Sequence, residues 1–203
     1  MKIYKETYEY YMQDTIDRLK EEFDDTIQEV EDKIKKSDYQ GVMFSFGLHD
    51  AMYNVLQTLR NQAIIFDLPL EKIKLKDPYG QEVHSQLKAR LAPHIQQDLI
   101  HKIWTKNINI TDGMLYNKFK ENKTIDKKTY EYYLLSNVYL FKEKFNNAVY
   151  LESLQQEKGE EQGTILSCGH RHGLYCALET LRNMAIVFDL PLKKIGLKDE
   201  VPV

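Results

Sequence analysis

The chain has 203 residues, 42% hydrophobic and 29% charged, with nine glycines, five prolines and two cysteines. That length supports one large domain or two small ones, and the composition excludes collagen-like, disordered and disulfide-scaffold classes. A net charge of −3 gives no broad pull toward nucleic acid. No stretch approaches the ~18 apolar residues of a membrane span. Two cysteines and a start, MKIYKETYEYYMQD, without a signal-peptide core lead to the expectation of a reducing, cytoplasmic setting.

The first element is a helix. Tyr8, Met12, Ile16, Leu19, Phe23, Ile27, Val30 and Ile34 fall at steps of three and four, the period of an amphipathic helix. Neither proline nor glycine interrupts Lys2 to Gln40, so a helix of roughly 30 residues is predicted, about 45 Å long. Ser37 to Gly41 reads as a turn, with Gly41 supplying the permissive backbone of a helix end. A second helix follows over residues 42–67, with Met52, Leu56, Leu59, Ala63 and Phe66 as its stripe. It should stop at Leu68, because a proline pushes the residue before it out of the α region. Gly47 sits inside this helix at a cost of about 1 kcal/mol against alanine, and a close helix crossing is the first explanation for it. Residues 78–122 read as a helical connector: Glu82–Leu91, a break at Pro93, a piece to Lys106, and Met114–Glu121 behind the N-cap signal Thr111-Asp112.

From residue 123 the chain repeats itself. Gly41–Asp77 and Gly163–Asp199 align at an offset of 122 residues without a gap, and 21 of 37 positions are identical. Thr7–Tyr11, TYEYY, recurs at Thr129–Tyr133, and Lys20, Glu21 and Phe23 recur as Lys142, Glu143 and Phe145. Two units, 1–77 and 123–203, therefore flank the connector. The second unit repeats both predicted helices, the mid-helix glycine (Gly169), and the polar pair Arg60 and Asp67 as Arg182 and Asp189. Those four residues are read as structural, holding each helix end. The predicted fold is all-α: two duplicated helical hairpins in a pseudo-two-fold bundle, since a duplicated chain commonly takes the place of a homodimer.

Chemistry-bearing patterns are sparse. His49-Asp50 is the only His-Asp pair and has no histidine before it, which leaves it short of a helical metal phosphohydrolase. Glu6-x-x-Glu9 and Glu29-x-x-Asp32 resemble the acidic motifs of MazG-type nucleotide pyrophosphatases, but both lie on one helix, ~35 Å apart at 1.5 Å per residue. Cys168, His172 and Cys176 offer sulfur and imidazole to zinc. Three ligands on one straight helix cannot surround one ion, however, so the trio is a weak candidate and no metal is expected. No catalytic residue and no cofactor is assigned.

Charge patterning is more informative. Residues 5–32 carry 11 acids against Lys5, Arg18 and Lys20. The second copy is apolar and aromatic at several of the same places, with Tyr139, Leu140, Tyr150, Leu151 and Leu154. The connector is basic, with nine cations against five acids over 81–128. The functional expectation is a non-enzymatic protein-binding module, an inhibitor or adaptor, whose acidic face is Asp14, Asp17, Glu21, Asp24, Asp25 and Glu29. Such a helix can imitate a phosphate backbone. The Lys, Asn, Ile and Tyr richness also suits a small phage accessory protein that inhibits a nucleic-acid-handling complex. The alternative is DNA or RNA binding by Asn117, Lys118, Lys120 and Lys123 in the connector. A homodimer is compatible with either reading.

Overall fold

A computed structural model describes residues 3–92 and 125–198, and among these every regular element is a helix. The elements are α1 (Lys5–Lys35), α2 (Tyr39–Ile65), α3 (Gln81–Leu91), α4 (Lys127–Glu157) and α5 (Glu161–Val187). They pack as a helical bundle around one hydrophobic core to which all five contribute. No described helix is long and apolar enough to cross a membrane. The connector beyond Ala92, including Asn117, Lys118, Lys120 and Lys123, lies outside the described residues.

The repeat carries through to the backbone. The first hairpin spans 5–35 and 39–65, and the second spans 127–157 and 161–187, so each boundary recurs 122 residues later. The turns differ from the sequence expectation. Ser37, not Gly41, takes the left-handed conformation (φ 54°), as Gly159 does at the equivalent position (φ 69°). Gly41 already lies inside α2, where its N–H donates to the Asp38 side chain (2.9 Å), an N-cap. The second helix of each hairpin also ends before the predicted Leu68 and Leu190. Asp67 and Asp189 turn left-handed (φ 53° and 51°), and the amides of Leu68 and Leu190 reach back to Ala63 and Ala185. This 6→1 closure terminates the helix before proline sterics act.

The expectation of a close crossing at Gly47 and Gly169 holds. A methyl at Gly169 would overlap the Phe44 carbonyl, and one at Gly47 would overlap the Leu166 carbonyl and lie 2.9 Å from the His170 nitrogen. One turn on, a methyl at Gly173 would lie 2.7 Å from the Ala51 Cβ. The contacts advance in step along both helices, so α2 and α5 run parallel with their backbones in touch. Small residues four apart permit that approach, because nothing stands between the helices.

The outer helices are tied by contacts that recur with the two units exchanged. Tyr8 donates to Glu131 Oε1 (2.9 Å) and Tyr130 to Glu9 Oε1 (3.0 Å). Tyr11 donates to the Leu181 carbonyl (3.0 Å) and Tyr133 to the Leu59 carbonyl (2.9 Å). The Tyr8 and Tyr130 rings face each other at 6.4 Å. Burial, together with the carboxylate each one meets, raises both phenols well above their usual range. Tyr8→Phe and Tyr130→Phe should each cost about 1.5–3 kcal/mol, the worth of a hydrogen bond to a charged group, and by nearly equal amounts. Urea denaturation of the two variants checks this, and a clear inequality would mean that the exchanged contacts are not energetically equivalent.

A candidate groove between α1 and α5

The acidic residues of α1 divide between two neighbours. On one side, Asp17 pairs with Lys74 and Asp24 accepts from the Tyr79 hydroxyl (2.7 Å), fastening the segment after α2. Asp14 and Glu21 face solvent, with Glu21 held by Arg18 (3.2 Å). On the other side, Asp25 and Glu29 line a groove against α5. The six residues expected to form one acidic face thus serve as loop ties, exposed charges and groove wall.

The groove has a volume of about 540 Å³ and lies between α1, the start of α2, and α5. Four carboxylates line it: Glu22, Asp25 and Glu29 from α1, and Glu179 from α5. Among the described residues, no lysine or arginine lines it. Phe44, His172 and Tyr175 form the aromatic wall. The His172 ring lies 5.8 Å from Phe44 and is stacked 6.3 Å from Tyr175. Glu22 is held between α5 and its own helix. Its Oε1 accepts from Thr180 (2.7 Å) and faces Arg18 Nε at 3.4 Å, whereas its Oε2 is buried with no hydrogen-bond partner. Burial raises its pKa, against the lowering by Thr180 and Arg18. Glu29 accepts from Ser45 (2.9 Å), which fixes that carboxylate on the wall.

The cysteine and histidine cluster of α5 falls partly here. His172 and Cys176 line the groove, with Cys176 Sγ 3.7 Å from His172 Nε2. Cys168 lies apart from it and contacts Arg171 (3.8 Å), which pairs with Glu152 (2.8 Å). Both thiols are free. Among the described residues no group of three or more His, Cys, Asp or Glu could hold a metal ion. Burial raises the Cys176 thiol, and the Glu22 and Glu179 charges add to it. Of the four repeated residues read as holding the helix ends, the two aspartates stand at those ends. Arg60 donates to the Lys76 carbonyl (3.3 Å), while Asp67 and Asp189 supply the left-handed helix ends.

The other copy shows what the fold itself requires. Where the groove has Glu22, Asp25 and Glu29, the second unit has Lys144, Asn147 and Leu151, with Lys144 and Leu151 buried. The bundle therefore does not depend on these acids. Glu22, Glu179, Phe44 and Tyr175 were not singled out from sequence, although the Glu22 to Lys144 reversal across the repeat marked the position. Carboxylates beside aromatic faces have the chemistry that suits a guanidinium or ammonium group. The chain matches no known protein-family model, no curated protein and no solved structure.

Proposed function

We propose that this protein is a non-enzymatic binding module, built on a pseudo-two-fold pair of duplicated hairpins. It acts as an inhibitor or adaptor by docking a basic protein segment along α1. The observation that carries the reading is the groove: four carboxylates and three aromatic rings converge there, and at the three acids from α1 the second copy has a lysine, an amide and a leucine. An arginine or lysine of the partner would enter between the rings of Phe44, His172 and Tyr175 and meet Glu22, Asp25 and Glu29. Asp14 and Glu21 extend the negative field along the exposed side of the same helix and would speed encounter at low salt. A nucleic-acid-binding protein presents such basic segments, and there the acidic helix would take the place of a phosphate backbone.

The test is titration with a fluorescent arginine-rich peptide at two salt concentrations. The double variant Asp25→Lys, Glu29→Lys should weaken binding by at least tenfold, roughly the effect of like charge against a cationic ligand. Charge reversal at Glu71, exposed and remote from the groove, should change affinity less than twofold. Unchanged binding by the double variant would sink the groove as the docking site. Asp17 and Asp24 are poor probes, because reversing them also releases the segment they fasten. Capture from lysate that vanishes with nuclease would instead favour nucleic-acid binding through the connector.

A further inference from the structure

A second group of polar residues is buried where α3 meets α2, adjoining the groove through Thr26. His84, on α3, stacks on Tyr53 (3.9 Å, 4° between planes) and faces the His49 ring at 5.4 Å. Its Nε2 lies 3.6 Å from Asp50 Oδ1, and the other oxygen of Asp50 lies 3.5 Å from His170 Nδ1 on α5. Asn54 Nδ2 also donates to that second oxygen (2.9 Å). His49 Nδ1 bonds Thr26 Oγ1 (2.9 Å), whose own proton goes to the Phe23 carbonyl (2.6 Å). His49 Nδ1 is therefore the N–H donor, and its bare Nε2 is buried with no hydrogen-bond partner, as is His84 Nδ1.

α3 is lightly held. Of its eleven residues only His84, Leu87 and Leu91 are buried, and an exposed ion pair joins Arg90 to Glu31 (2.7 Å). A cavity of about 240 Å³ remains beside Arg90 and Leu91, against Ile34, Val42 and Met43. A short helix with few buried side chains belongs to the low-stability end of a structure and opens before the rest. The titratable and charged groups that face His84 are Asp50, His49 and Tyr53 from α2 and Lys88 from α3 itself, with His170 of α5 beyond Asp50. From α1 the seat receives Phe23 and Thr26, which carry no charge.

We propose that α3 is a proton-released arm: acidification detaches it from α2 because His84 and His49 take up protons once the arm has left. Release would uncover the α2 face that carries Phe46, His49, Asp50 and Tyr53. The equivalent face of α5 carries Cys168, Arg171, His172 and Tyr175, and there His172 stands exposed. Opening would thus give the first unit a second accessible face of the kind the second unit already presents.

The sign follows from each group. Burial lowers His49 to about 3, and burial with Lys88 nearby lowers His84 to about 4. A group lowered on docking loses docking free energy as pH falls below its free value of ~6.5. Burial raises Asp50 to about 7, so its contribution runs the other way, favouring the docked arm as pH falls from 7 toward ~3.9. Between pH 6 and 4.5 two imidazoles gain protons on release and one carboxyl loses one. The net is one proton, or about tenfold in the opening equilibrium per pH unit.

Hydrogen exchange by mass spectrometry, corrected for the intrinsic pH dependence of exchange, tests this on the full chain. Protection of residues 81–91 should fall about tenfold per pH unit from pH 6 to 4.5, while residues 42–63 keep theirs. His84→Phe preserves the stack and should flatten the dependence. Asp50→Asn should steepen it toward a hundredfold per pH unit, and it keeps the test open if the phenylalanine variant fails to fold. The proposal is overturned if protection of the arm does not change, if both segments lose protection together, or if His84→Phe leaves the slope intact.

Discussion

Gly169→Leu is expected to prevent the bundle from forming. The position has no room even for a methyl group, since a Cβ there would overlap the Phe44 carbonyl oxygen and crowd the Phe44 backbone. Backbone cannot swing aside as a side chain tip can, so α2 and α5 must separate along their closest stretch. Overpacking inside a core typically costs 1–3 kcal/mol. A whole isobutyl group against backbone should exceed that, at about 4 kcal/mol or more, a large part of the 5–15 kcal/mol that holds a domain together. Gly47→Leu should do the same, because its Cβ would overlap the Leu166 carbonyl. Gly159→Ala is the control: it has a left-handed φ but open space around it, so it should cost only about 1 kcal/mol. Circular dichroism with guanidinium denaturation separates these cases. A Gly169→Leu protein with an unchanged midpoint would mean that α2 and α5 do not touch backbone to backbone.

Phe23→Ala should have the next largest effect, about 3–5 kcal/mol, as for other fully buried aromatic residues cut back to alanine. The ring is fully buried. It lies 4.6 Å from the His49 ring and 5.8 Å from Tyr79, and it closes over Gly80, the residue that starts α3. The loss should therefore be felt twice, once as a cavity under α2 and once as a loosened seat for α3. Phe145→Ala, at the equivalent place in the other unit, removes a ring that is also buried. It should lower global stability by a similar amount yet leave exchange in residues 81–91 unchanged relative to the global value. Denaturation midpoints and the exchange of that segment measure the two parts separately. Equal loosening of α3 by both substitutions would show that Phe23 is not its support.

The helices were legible in the sequence because their apolar spacing and the repeat agree position by position. Gly47 and Gly169 announced the crossing for the same reason: a costly residue kept in both copies needs a spatial cause. The turns were less legible. Gly41 drew attention because glycine is the usual left-handed residue, but Ser37 bears the positive φ and Gly41 serves the N-cap through its amide hydrogen. The groove was only half visible. Asp25 and Glu29 stood out as charges and His172 and Cys176 as possible ligands, yet nothing local in sequence says that α1 and α5 bring them together. That adjacency follows from the parallel pairing of α2 with α5. The His84 seat was hidden more deeply, since His84, His49 and His170 lie on three different helices, His84 facing the His49 ring directly and reaching His170 through Asp50.

The buried carboxyl of Asp50 also bears on the history of the chain. Its contact with His170 joins two positions that the repeat has made unlike: the equivalent of His170 in the first unit is Leu48, and the equivalent of Asp50 in the second is His172. A dimer of two first units would set each Asp50 against a leucine, and a dimer of two second units would set histidine against histidine. Neither could form the Asp50–His170 pair seen here. Once that substitution had occurred, each half was complementary to the other and no longer to itself. The groove follows the same rule, since its walls come from both halves, α1 and α2 of the first and α5 of the second, so neither half paired with its own copy would rebuild it.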